Sequence, residues 1–241
     1  MQEGRGRHNS KIGRREFLTA AGAYCLSLVL PSPLFAFRYR EGGMIHLSEH
    51  DIKQWGEGDG KNWGDDDQPA DQAPHPAATA TRNSRQEMYP GVLPMRIRST
   101  GEAYTLIFRT GDQYDLNSFG WVNWLLRCHG DHDAVATIDY RLVEQLGFIS
   151  HWFGGRTIIV NSGYRTLNYN RKLSERNHKV APNSYHMAGR AADFSVDGAS
   201  LREVCSVALY CRNTQGFGGI GYYPRDGFIH IDTGPHRQWI G

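Results

Sequence analysis

Four short β-like runs towards the C-terminal end, Thr157 to Val160, Ala191 to Val196, Ile220 to Tyr223 and Phe228 to Asp232, carry Asp193, His230 and Asp232 within segments that otherwise read as buried strand. A polar group buried without a partner costs about 2–7 kcal/mol. Each of these side chains therefore needs a fixed hydrogen-bond partner or a bound ion, and the fold has to supply it. The runs do not alternate with helices in a βαβ rhythm, although one helix is expected over 200–212. Such a pattern predicts an α+β domain with a small central antiparallel sheet and flanking helices.

Two flanking helices are legible upstream. Trp121, Val122, Trp124, Leu125 and Leu126 fill a segment from Leu116 to Arg127, behind an Asp115 able to cap its first turn. After Asp139, Leu142, Leu146, Ile149 and Phe153 recur at helical intervals and make one apolar face. Before both, Met95 to Ser99 and Tyr104 to Phe108 flank Thr100-Gly101-Glu102 and read as a hairpin. The stretch Cys128-His129-Gly130-Asp131-His132-Asp133 is rich in metal-binding residue types. They crowd together without ligand spacing, so it reads as a loop with a capping acid.

The chain divides into three parts. In residues 1–36, Arg14-Arg15 precede an apolar run from Phe17 to Leu30, followed by Pro31, Pro33 and Ala36, which reads as a twin-arginine export signal. That expectation makes the twin-arginine export machinery a partner and the periplasm the destination, and it suits a protein that acquires its metal and folds before export. A helix of about fourteen residues rises only about 21 Å, short of a hydrocarbon core of about 30 Å, so no stable membrane span is expected after processing. Residues 37–91 are polar, turn-rich and acidic and read as a flexible linker; Asp65-Asp66-Asp67 lacks the alternating acids of a calcium loop. Residues 92–241 are the expected catalytic domain. With 27 basic and 25 acidic residues and a net charge of +2, the chain lacks the basic excess of a nucleic-acid binder. Cys25 falls in the signal, and Cys205 and Cys211 lie about 9 Å apart along their expected helix, beyond disulfide reach. No CxxC pair supports a cysteine-built zinc site.

The chemistry concentrates in three segments: Asn161-Ser162-Gly163-Tyr164-Arg165, Ser184 to Phe194, and Gly227 to Gly234. Two imidazoles and one carboxylate suit zinc, leaving a fourth tetrahedral position for water whose pKa falls from about 15.7 towards about 7. Residues two apart on a strand share a face, so Asp232 is expected beside His230, either as general base or as the acceptor of a liganding ring N–H. Arg165, in a turn after a strand, is expected to clamp a substrate carboxylate or to stabilise an oxyanion. A closed, structural zinc would need a fourth protein ligand, for which His178 or His236 is nearest.

The pattern Ser-x-His-x-x-Gly-x-Ala-x-Asp, followed by a strand bearing His, resembles the zinc D-alanyl-D-alanine carboxypeptidase family. Together with Ser-Gly-Tyr-Arg-Thr and Gly-Tyr-Tyr-Pro-Arg-Asp-Gly-Phe-Ile-His-Ile-Asp-Thr-Gly-Pro-His-Arg-Gln-Trp, it is similar to the murein endopeptidase K branch of that family, over about Val92 to Gly241. The resemblance implies zinc held by His186, Asp193 and His230, with Arg165 in the cleft and peptidoglycan peptides or cross-links as substrate. A carboxypeptidase trimming stem peptides and a wall-binding module are the competing expectations. One departure concerns the base: relatives carry an acid three positions before the last histidine, where this chain has Gly227, with Asp226 one step earlier.

Overall fold

Residues 52–53, 55, 89–177 and 180–241 are described in the computed structural model. The expected hairpin is present as β1 (Gly91–Ile97) and β2 (Ala103–Thr110), turning through Gly101 at a φ of 74°. A short β3 (Gln113–Tyr114) follows. Helices α1 (Leu116–Leu125) and α2 (Tyr140–Trp152) begin where Asp115 and Asp139 accept the backbone N–H of Asn117 and Arg141. Aspartate caps are worth about 1 kcal/mol each. The chain continues through β4 (Ile158–Ser162), α3 (Leu167–Arg176), a 3-10 turn (Tyr185–Ala188), β5 (Ala191–Val196), α4 (Leu201–Gln215), β6 (Gly219–Tyr223), β7 (Phe228–Asp232) and β8 (Arg237–Ile240).

All eight strands form one sheet in the order β3-β2-β1-β4-β5-β7-β6-β8. The α+β class is as expected, and the sheet is larger than the four runs alone suggest. It is also mixed. Strands β1 and β4 are parallel, as are β6 and β8, and the other neighbours are antiparallel. The parallel contact between β1 and β4 spans α1 and α2, since a parallel pair needs a long crossover. The strands that carry the site, β5 and β7, are central neighbours in the sheet.

Packing follows the apolar pattern. Helix α2 buries Leu142, Val143, Leu146 and Ile149, and α4 buries Val204, Cys205, Val207, Ala208 and Leu209. The two helices contact one another, and both contact the sheet, where Leu93, Met95 and Phe194 are sealed from solvent. Each such side chain contributes about 1.5–3 kcal/mol on burial. Trp55 and Tyr89 also belong to this core. The expected export signal and most of the expected linker lie outside the described residues. Cys128, Cys205 and Cys211 are buried free thiols. Among the described residues, no helix is long and apolar enough to cross a membrane.

Among the elements absent from the sequence reading, helix α3 and strand β8 were hidden for physical reasons. Helix α3 buries only Asn170, so it has no apolar stripe to detect. Thr166 holds its start by accepting the Tyr169 N–H, and the Asn170 amide donates to the carbonyls of Ala181 and Pro182. Strand β8 is a four-residue run beginning Arg-Gln, with one buried side chain, Trp239.

Candidate metal centre

The 3-10 turn and β5 form one local device. Ser184 accepts the backbone N–H of His186 and starts the turn, and Gly189, at a φ of 65°, ends it. A Cβ at Gly189 would lie 2.1 Å from the Thr137 carbonyl, so the Gly of the His-x-x-Gly spacing is sterically required. The chain then enters β5, where Asp193 lies directly opposite His230 of β7 in antiparallel register. Cross-strand partners of this kind have Cβ atoms about 4.5–5.5 Å apart. His186, Asp193 and His230 are all buried.

Their polar atoms converge. His186 Nε2 is 3.2 Å from Asp193 Oδ1 and 3.2 Å from His230 Nδ1, and His230 Nδ1 is 2.9 Å from Asp193 Oδ1. The outward ring nitrogens are committed: His186 Nδ1 donates to the Gly163 carbonyl at 2.6 Å, and His230 Nε2 donates to Asp232 Oδ2 at 3.0 Å. That sets the tautomers. In the neutral rings the inward nitrogens hold lone pairs, and three acceptors then face one another. A tetrahedral ion with bonds of about 2.0–2.1 Å separates its ligands by about 3.3 Å, so the residues present fit a zinc-sized cation.

Electrostatics favours the same state at two of the three residues. Burial, and then the Arg165 guanidinium, push His186 down to about 4, which keeps its ring neutral. Burial raises Asp193, but His186 and Arg165 outweigh it and hold the carboxyl well below its usual range. At His230 burial lowers the pKa, and the hydrogen bonds to Asp193 and Asp232 reverse that and raise it. An ion between the three would take over the role of that proton.

Asp232 shares the His230 face, as strand alternation requires, and it sits behind the ring. Its oxygens accept from His230 Nε2, from Arg237 Nη2 at 2.8 Å and from the backbone N–H groups of Gly219 and Gly234 at 3.0 and 2.8 Å. It is 0% exposed. Of its two sequence-derived roles, this surrounding matches the acceptor that fixes a ring, because a base must reach water. A Cβ at Gly219 would stand 2.5 Å from Asp232 Oδ2, which explains that glycine. Arg165 also acts locally: Nη2 holds Asp193 Oδ2, and Nε donates to Ser162 Oγ at 2.8 Å. The guanidinium thus fixes which Asp193 oxygen faces inward.

Beside these three side chains opens a cleft of about 260 Å³, lined among others by Arg165, Tyr185, Tyr223, Asp226, Phe228 and Arg237. Asp226, on the exposed turn between β6 and β7, faces it, whereas Asp232 does not line it. Sequence reasoning passed over Arg237, Tyr223 and Trp239; the Pro-His-Arg-Gln-Trp run that ends the last motif was the available signal for two of them. His236 is exposed, and His178 lies outside the described residues. In the 128–133 loop, Asp131 accepts from Thr166 and Asp133 from Arg127, so both acids brace neighbouring structure. Among the described residues, His186, Asp193 and His230 are the group of three whose ligand atoms all fall within 4.8 Å of one another.

Comparison with known proteins gives a consistent picture. The family model described as peptidoglycan L,D-endopeptidase MepK matches residues 85–239. The peptidoglycan L,D-endopeptidase MepK of Escherichia coli strain K12 is 37% identical over 153 residues, covering 62% of this chain and 80% of the relative. The probable peptidoglycan L,D-endopeptidase MepK of Haemophilus influenzae is 35% identical over 154 residues, covering 63% and 80%. No solved structure matches the chain.

Proposed function

Given that the chain belongs to the peptidoglycan L,D-endopeptidase MepK family of metal-dependent peptidases, we propose that His186, Asp193 and His230 hold a zinc ion beside a cleft that binds peptidoglycan peptides. The chain is a peptidoglycan endopeptidase, hydrolysing amide bonds in peptides of the wall. The observation that carries the zinc reading is the inward set of acceptor atoms, 2.9–3.2 Å apart, whose outward nitrogens are spent on Gly163 and Asp232. When bound, the ion supplies Lewis acidity and an acidified water.

The protein's own groups do the rest. Asp232 holds His230 in the tautomer that presents Nδ1, and Gly163 does the same for His186 Nε2. Arg165 lines the cleft with two of its nitrogens committed, and among the described residues Nη1 takes no partner. That nitrogen is placed for a substrate carboxylate, which stem peptides of the wall carry. Besides Asp193, Asp226 is the carboxylate lining the cleft, and it takes the role of proton carrier, accepting from water and returning the proton to the leaving amine. This replaces Asp232 in that role. The exposed His236 supports a three-residue ligand set over a closed structural site.

Action on the wall puts the working enzyme outside the cytoplasmic membrane, in an extracellular or periplasmic space. Export to the periplasm through the twin-arginine machinery rests on Arg14-Arg15 and the apolar run behind them. Replacing both arginines by lysine should retain the protein in the cytoplasm, and unaltered periplasmic yield would reject that route. The direct test of function is digestion of defined muropeptides by the mature protein, before and after chelation and zinc return, with the cleaved bond identified by mass. Cross-linked dimers should fall to monomers in a zinc-dependent way. Release of a terminal residue alone would mark a carboxypeptidase, and binding without cleavage would mark a wall-anchoring module.

A further inference from the structure

Tyr223 has no part in holding the three ligands, yet everything around it fixes its hydroxyl at the cleft. On β6, Gly221 pairs with His230, and Tyr223 lies two residues further along, pairing with Phe228. Residues two apart share a face, so the tyrosine stands on the His230 side of the sheet, about 7 Å along the strand. Its ring stacks on Phe228 with centroids 4.6 Å apart. Two glycines make room for it: a Cβ at Gly221 would meet the rings of Trp239 and Tyr223 at 2.6 and 2.7 Å, and one at Gly241 would meet the Tyr223 ring at 1.9 Å. Trp239, whose ring lies 5.2 Å from that of His230, donates its indole N–H to the Tyr223 oxygen at 2.9 Å.

Indole nitrogen is a donor only, so the phenol oxygen accepts there and its own hydrogen points elsewhere. Among the described residues, no acceptor takes it. Burial pushes the phenol up to about 12, with Asp193 and Asp226 adding to that direction and the Trp239 hydrogen bond and Arg165 opposing it, so the group stays protonated at working pH. We propose that the Tyr223 O–H donates a hydrogen bond to the carbonyl oxygen of the scissile amide as that oxygen gains negative charge, a role that rests on the endopeptidase reading above. In the reaction the water oxygen bonds to the carbonyl carbon, and the C=O pair moves onto oxygen. The pair then returns as the C–N bond breaks, and the leaving nitrogen takes a proton. A donor aimed at that oxygen is stronger in the transition state than in the ground state. Because Trp239 polarises the phenol, its hydrogen is the better donor.

Tyr223→Phe keeps the ring and removes only the hydroxyl. Its expected signature is a kcat lower by about 100-fold with KM changed by less than about twofold, the scale for losing one oxyanion donor. A peptide whose scissile amide is replaced by a tetrahedral phosphinate should bind the variant more weakly by the same factor. An uncleaved substrate peptide should bind the metal-free parent and the metal-free variant alike. Metal content should equal that of the parent, and 3-fluorotyrosine at position 223, which keeps the O–H, should restore kcat. An unchanged kcat, equal losses for phosphinate and uncleaved peptide, or a fall in metal content would each overturn the assignment. His186→Ala serves as the separate control: if it still hydrolyses muropeptides, the metallopeptidase reading fails, whatever Tyr223 does.

Discussion

Two buried polar clusters on the same sheet have similar composition and opposite logic. At one end Glu144, 1% exposed, accepts from the hydroxyls of Tyr89 and Tyr114 and from Arg109 Nε at 2.9 Å. The other Arg109 nitrogens donate to the carbonyls of Gly111 and Tyr89 at 2.6 and 3.0 Å. Donors meet acceptors throughout, and the cluster ties the start of β1 to β2, β3 and α2. Near the middle of the sheet His186, Asp193 and His230, with their rings neutral, turn acceptors towards one another. With both rings neutral such an arrangement adds no stability of its own, and the proposed cation would complete it. Burial and charge are shared by both clusters; the direction of the hydrogens separates a structural strut from a site.

Mutations divide along that line. The largest expected effect is on chemistry: His186→Ala should lower muropeptide hydrolysis by about ten-thousandfold or more, over about 5 kcal/mol of barrier, with metal content near zero and the protein still folded. Retained zinc in that variant would break the comparison. Glu144→Ala should do the reverse, stranding the buried Arg109 charge and costing about 3–5 kcal/mol of stability by chemical denaturation, with kcat per folded molecule unaltered. A loss of activity in the folded fraction would show that the strut also shapes the site. The smallest effect tests the boundary between the two roles. Asp232→Asn should leave the fold intact and weaken zinc binding about 10–100-fold in chelator competition, since the His230 ring loses its anionic acceptor.

The sequence revealed the site better than it revealed the scaffold. Strands β5 and β7 have the bounds expected for them, because Ala191–Val196 and Phe228–Asp232 are mostly apolar runs, interrupted by Asp193 and Ser195 in one and by His230 and Asp232 in the other. The meeting of Asp193 with His230 was legible only through the family resemblance, since it depends on a register that joins residues 37 apart. The Arg109–Glu144 strut was invisible for the same reason: its members lie on a strand and a helix, and each alone looks like a surface charge. Alternation placed Asp232 on the correct face, but depth is a tertiary property, and Gly219, Gly234 and Arg237 decide it. Helix α3 escaped because periodicity detects apolar faces, and this helix is held by a cap and one amide.

That manner of attachment has a consequence for how bulky wall fragments reach the cleft. Asn177, which closes α3, and the residues just beyond it, Val180, Ala181 and Asn183, form one bank of the cleft. A bank with so little buried apolar surface is expected to open more readily than α2 and α4, which are locked in the core. Amide exchange should therefore run fastest in α3, and protection there equal to that of α2 would mean that the substrate must fit a fixed slot.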